Sequence, residues 1–175
     1  GEDCYNGWDD DGDGWIDCED ADCSWDASCP SYCYLASPVF ETGSIYGNTT
    51  WDVAYSEWYS DCGGLDAPES IYSFSPGYAD TVCIDTIGST FDTLLYVIEG
   101  CGGTEVACND DWVGLQSQLE LYAMANTTYY VFVDGYSSYS YGDYYLNIEL
   151  GPCGSGGEIC GNGYDEDYDG WYDCD

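Results

Sequence analysis

The sequence predicts an all-β fold, an antiparallel sandwich flanked at both ends by small cysteine-bracketed modules. Three observations carry this. Between about residues 44 and 150, short runs rich in β-branched and aromatic residues alternate with Gly, Asp, Asn and Ser. No helical periodicity competes with them, and regular short runs between turn residues are the mark of a sandwich. The chain also holds 12 cysteines, and a repeated acidic segment stands near each terminus.

The predicted strands are 70–74, 81–87, 92–98, 105–108, 115–122, 127–133 and 144–150. Alternation is plain in Gln118-Leu119-Glu120-Leu121 and in Tyr130-Val131-Phe132-Val133-Asp134. Residues 23–43 and 51–68 read as irregular, pinned by Cys, Pro and Gly, and no helix is needed anywhere. With 45% hydrophobic and 18% aromatic residues, the chain is expected to bury a core. The predicted organisation is a cysteine-rich module at 1–34, the sandwich at 35–151, and a second module copy at 152–175.

The charge balance excludes several functions. There are 35 Asp plus Glu and no Lys, Arg or His, a formal charge of −35. Nucleic acid and anionic membrane surfaces are therefore excluded as partners, since both are held mainly by Lys and Arg. Catalysis is also narrowed. No His can shuttle protons, no Lys can form a Schiff base, and no Arg can clamp an oxyanion. A two-carboxylate glycosidase is the surviving enzyme class, but nothing singles out a pair among 35 acids, so the reading is non-enzymatic. No run of about 18 apolar residues offers a membrane span, and the sequence reads as soluble.

The cysteines imply the compartment. Without His and without paired C-x-x-C knuckles, zinc is a poor fit and disulfides are expected. That places the chain outside the cytosol, at a cell surface or in the extracellular medium. Cys4 with Cys18, Cys160 with Cys174, Cys101 with Cys108 and Cys62 with Cys83 are the expected pairs.

Residues 1–19, GEDCYNGWDDDGDGWIDCE, align without gaps to 157–175, GEICGNGYDEDYDGWYDCD, with 12 identities in 19. Such an arrangement is either a slice through a tandem array or one protein bracketed by two copies of a module. The first copy contains Asp9-x-Asp11-x-Asp13-Gly14-x-x-Asp17-x-x-Asp20, the spacing of a calcium loop. Alternate side chains of a tight loop converge on one point, Gly permits the turn, and a backbone carbonyl completes the cage. The expected ligands are Asp9, Asp11, Asp13, the Trp15 carbonyl, Asp17 through water, and Asp20. The second copy offers Asp165, Asp167, Asp169, the Trp171 carbonyl and Asp173.

Two carboxylates about 5 Å apart repel by about 1 kcal/mol in water and about 3 kcal/mol at an effective dielectric near 20. Several in one loop resist folding unless a cation reverses the sign, and hard oxygens select Ca²⁺, with Mg²⁺ the weaker competitor because it keeps its waters. Asp92, Asn109, Asp110, Asp111 and Asp134 form a second candidate cluster, against the alternative that they cap turns. Asn48 and Asn126 head the two N-x-S/T sequons, both near turns.

The stretch 45–150 resembles bacterial pre-peptidase C-terminal domains. The residues that carry the likeness are Cys62-Gly63-Gly64, Ile71-Tyr72-Ser73-Phe74, Gly88-Ser89-Thr90-Phe91-Asp92-Thr93-Leu94-Leu95-Tyr96-Val97, Ala107-Cys108-Asn109-Asp110-Asp111, Thr128-Tyr129-Tyr130-Val131-Phe132-Val133-Asp134-Gly135-Tyr136 and Gly142-Asp143-Tyr144-Tyr145-Leu146. The end modules are similar in ligand spacing to thrombospondin type 3 repeats. These resemblances imply a jelly-roll-like sandwich, exported or surface-displayed and without catalytic activity. The lack of any basic residue departs from that family, so no ligand specificity is carried over.

Two functions follow. In the first, the chain is a repeat or subunit of an extracellular bacterial fibre or stalk, its partners copies of itself and its joints stiffened by Ca²⁺ and disulfides. In the second, it is an accessory module that docks a secreted protein onto polysaccharide or collagen, with the many Tyr serving as a stacking surface for glycans.

Overall fold

The computed structural model describes residues 1–154, except for 5, 24, 25, 27, 28, 55–59 and 65. Nine strands form two sheets. They are β1 (Ser37–Val39), β2 (Gly43–Asn48), β3 (Ser70–Phe74), β4 (Asp80–Asp85), β5 (Thr93–Glu99), β6 (Thr104–Asn109), β7 (Gln118–Ala123), β8 (Tyr129–Gly135) and β9 (Asp143–Leu150). One sheet has the order β1-β3-β8-β5-β6 and the other β2-β9-β4-β7. The molecule is an all-β, jelly-roll-like sandwich.

All seven predicted strands are present, with ends displaced by a few residues. β1 and β2 fall in or next to a stretch that reads as irregular, and β1 pairs with β3 in parallel. β1 is only three residues long and carries Pro38, which weakens any periodic signal. A single helical turn, α1 (Tyr32–Leu35), precedes it, where the sequence called for no helix. Such a turn is too short to register as periodicity, and its Tyr32 is held by packing.

Alternation explains the core. Inward residues Leu95, Val97, Val131, Val133, Val82, Ile84, Leu121, Leu146 and Ile148 pack between the sheets. Across the gap, the Tyr72 and Tyr144 hydroxyls meet at 2.6 Å. Tyr144 requires a glycine opposite it, because a Cβ on Gly47 would fall 2.2 Å from the Tyr144 hydroxyl.

β8 is buried along its whole length, which one packed face cannot explain. Its outward residues Tyr130 and Phe132 join Leu94, Tyr96, Ile71 and Tyr32 in a second cluster on the far side of the five-stranded sheet. There Tyr96 stacks on Phe132 at 4.4 Å, and Tyr32 sits edge-on to Tyr130 and Phe132. Helix α1 thus serves as the lid of a second apolar layer.

Five disulfides join described residues: Cys4–Cys23, Cys18–Cys29, Cys33–Cys101, Cys62–Cys108 and Cys83–Cys153. Three expected pairings are corrected. Cys4 does not bond Cys18, although the Cys18 Sγ lies 4.0 Å from the Cys4 carbonyl oxygen. The 3-10 turns Asp17–Glu19 and Ala21–Cys23 fold Cys23 back onto Cys4 and send Cys18 to Cys29. Cys101 and Cys108 do not close the β5–β6 hairpin. Cys108 faces Tyr96, while the hairpin closes at Glu99 and Thr104. Four rungs of strand, about 13 Å, exceed disulfide reach. Cys62 and Cys83 belong to opposite layers, Cys62 beside the outer cluster and Cys83 on β4 of the other sheet, so a bond would have to cross the sandwich. The expected Cys160–Cys174 pair lies outside the described residues.

Candidate functional site

The amino-terminal carboxylate loop is built by side chains gripping their own backbone. Asp9 accepts N–H bonds from Gly12 at 2.6 Å, Asp13 at 3.2 Å and Gly14 at 3.0 Å. Asp11 accepts from Asp13, and Asp13 from Trp15. Gly14 stands at φ +101°, a region that glycine enters without steric cost, so the turn expected at this position is present. One carboxylate oxygen from each of Asp9, Asp11 and Asp13 lies within 4.8 Å of the others.

A second triad shares Asp11: oxygens of Glu2, Asp11 and Asp20 also lie within 4.8 Å of one another. Asp20 is 1% exposed, its Oδ1 accepts the Asp22 N–H, and its buried Oδ2 has no hydrogen-bond partner. A buried carboxylate oxygen without a donor is costly. Partial desolvation, together with the Asp13 and Asp20 carboxylates, pushes Asp11 above its usual range, partly offset by the Asp13 N–H. The donor set is entirely hard oxygen, and a divalent cation fits both the clustered charge and the orphaned oxygen.

The other expected ligands fare differently. Asp17, at φ +48°, turns both carboxylate oxygens to the Gly7 N–H at 3.0 and 3.1 Å and is in neither triad. Trp15 contributes an N–H to Asp13. Glu2 is absent from the expected set, yet it accepts the Asp10 and Asp17 N–H groups and reaches Asp11 and Asp20. The signal that could have found it is the repeat, which preserves Gly-Glu at both ends. The second copy, with Asp165, Asp167, Asp169, Trp171 and Asp173, lies outside the described residues.

Of the second candidate cluster, Asp92, Asp110 and Asp111 come together within 4.8 Å. Burial first, then neighbouring carboxylates, raises the pKa of Asp92 and Asp110. The other two expected members make contacts of their own. Asn109 Oδ1 accepts the Gln118 N–H at 3.1 Å. Asp134 stands on the outward face of β8, beside Leu94 and Tyr96, with Oδ1 on the Gly135 N–H; burial pushes its pKa up to about 7. Strand alternation decides this, since Val133 points inward and Asp134 cannot.

Both sequon asparagines are exposed. Asn48 donates to Asp143 at 2.6 Å, and Asn126 occupies a left-handed turn at φ +57°.

With this geometry in place, the chain can be set beside known proteins. No family model matches it. A neutral protease of Vibrio proteolyticus is 37% identical over 71 residues, which cover 39% of this chain and 12% of that protein. Among solved structures, the pre-peptidase C-terminal domain of a Bacillus anthracis collagenase superposes with a TM-score of 0.47 at 16% identity, over 65% of this chain and 94% of that one. The Aeromonas hydrophila periplasmic inhibitor of g-type lysozyme does so at 0.42 and 15% identity, over 66% of this chain and 96% of that one. The chain spans a small fraction of the protease it matches. Among the described residues, no helix is long and apolar enough to cross a membrane.

Proposed function

We propose that this chain is a non-catalytic accessory module of an exported protein, with Ca²⁺ locking its amino-terminal loop and the sandwich docking its carrier onto a polysaccharide or collagen substrate. The observation that carries the metal reading is the convergence of Asp20, a buried residue whose Oδ2 has no hydrogen-bond partner, with Glu2 and Asp11 beside the Asp9–Asp11–Asp13 triad. Five disulfides support an oxidising compartment. The local likeness to a neutral protease supports attachment to a secreted hydrolase, and the jelly-roll-like fold supports docking over catalysis.

Calcium acts here on structure. Four carboxylates flank Asp11 in two triads, and an ion would cancel their repulsion while satisfying Asp20, fixing the orientation of the module that precedes α1. Calorimetric titration with Ca²⁺ tests this directly: Asp9→Asn and Asp20→Asn are each expected to weaken binding. Unchanged heats in both variants would end the metal reading.

The repeated end segment, 12 identities in 19, favours a second reading in which copies join into a surface fibre through these modules. Negative-stain images with regularly spaced polymers would support it, and isolated particles would remove it.

A further inference from the structure

We infer that a groove of about 290 Å³ beside the β1–β3 edge is a sugar-binding subsite for a polysaccharide without acidic groups. This rests on the docking reading above and gives it a place and a ligand class. Trp51, Asp52, Val53, Glu69, Ser70 and Tyr72 line the groove together with the end of α1 and the start of β1.

The loop that follows β2 is pinned at four points. Thr49, fully buried, donates its N–H to the Gly142 carbonyl and accepts the Gly142 N–H on its hydroxyl. Asp52 closes a turn back to Thr49, and Val53 accepts the Glu69 N–H. The Ser70 hydroxyl donates to Asp52 Oδ2. Between these anchors Trp51 is 92% exposed. A rigid loop that holds an indole away from the core leaves a large apolar face available for contact.

The polar groups select the ligand. Glu69 is buried and held by the Tyr96 hydroxyl at 3.0 Å, Asp52 is exposed and accepts the Ser70 hydroxyl, and the Tyr72 hydroxyl is engaged by Tyr144. The groove thus offers carboxylate acceptors but no cationic donor, in a chain of charge −35. An acidic glycan finds nothing to neutralise it and much to repel it. A pyranose matches, because its C–H face stacks on an aromatic ring while its hydroxyls donate to carboxylates. The volume is near the lower end for small-molecule pockets, so a short stretch of polymer enters while the rest passes over the surface.

The test is depletion of the protein from calcium-containing buffer by microcrystalline cellulose, β-chitin, immobilised alginate and immobilised collagen peptide. Binding to cellulose or chitin is expected, with roughly tenfold loss in Trp51→Ala. No loss is expected in Tyr46→Ala, whose ring is exposed on the other sheet. Melting curves should show Trp51→Ala folded like the wild type. If Trp51→Ala binds the neutral polymers as well as wild type, or if alginate is held equally well, the subsite is overturned while docking stands. Capture by collagen peptide alone has the same consequence. Binding to none of the four overturns both.

Discussion

The sandwich and the amino-terminal module are held together by opposite means. In β8, Tyr129, Val131 and Val133 face one apolar layer while Tyr130 and Phe132 face another, so burial on both sides stabilises the strand. The module at residues 1–23 is exposed along most of its length. Its order comes from side chains bonded to backbone amides and from Cys4–Cys23 and Cys18–Cys29, to which the proposed cation at its carboxylate cluster would add. Apolar burial is insensitive to reductant, chelator and pH, whereas bonds, ions and protons are not. The two regions should therefore separate under different perturbations.

The largest effect should come from the apolar side. Phe132→Ala removes a fully buried ring stacked on Tyr96 and is expected to cost about 3–5 kcal/mol in urea unfolding. The link between the regions comes next. Cys33–Cys101 closes a span of 68 residues, and replacing both by Ser should cost about 4 kcal/mol in the chain-entropy model. If its loss left the melting transition unchanged, the outer cluster would not depend on α1.

The Asp134 carboxyl is an acidic exception inside the apolar region. Its folded pKa of about 7 exceeds the ordinary 3.8 of an aspartate, so the fold favours the protonated form. That contribution is complete below pH 3.8, is lost as pH rises through 7, and stays lost above. Asp134→Asn should therefore leave stability at pH 4 nearly unchanged and raise it at pH 8 by roughly 2 kcal/mol, given partial relaxation around the charge. Equal effects at both pH values would show that Asp134 ionises freely.

Calcium should give the smallest shift. With the 0.1–1 mM affinity typical of extracellular sites, millimolar Ca²⁺ adds about 0.4–1.4 kcal/mol per site. EDTA is expected to loosen the module, seen as faster amide exchange at residues 7–20, while exchange in β8 stays the same. Equal loosening in both regions would erase the distinction between them.

Most strands were legible because alternation is local. Gln118-Leu119-Glu120-Leu121 announces β7 without reference to anything distant, and β3 has the expected ends. β1 and α1 were not legible, since three residues with a proline and a single turn derive their form from β3 and Tyr130. The Asp9–Asp11–Asp13 convergence was readable from spacing alone. Glu2 as a neighbour of Asp20, and Asp17 turned to Gly7, depend on how Glu2 and Gly7 are carried back over the loop.

By itself, the sequence determined the all-β class, the acidic loop with its glycine turn, and that the cysteines form disulfides. Each follows from chemistry encoded within a few neighbouring residues or from bulk composition. Tertiary structure alone decided which cysteines bond, which acids share a site, and that Trp51 rims a groove. Those outcomes depend on contacts between segments up to 93 residues apart, and a pairwise distance across a folded chain leaves no trace in local spacing.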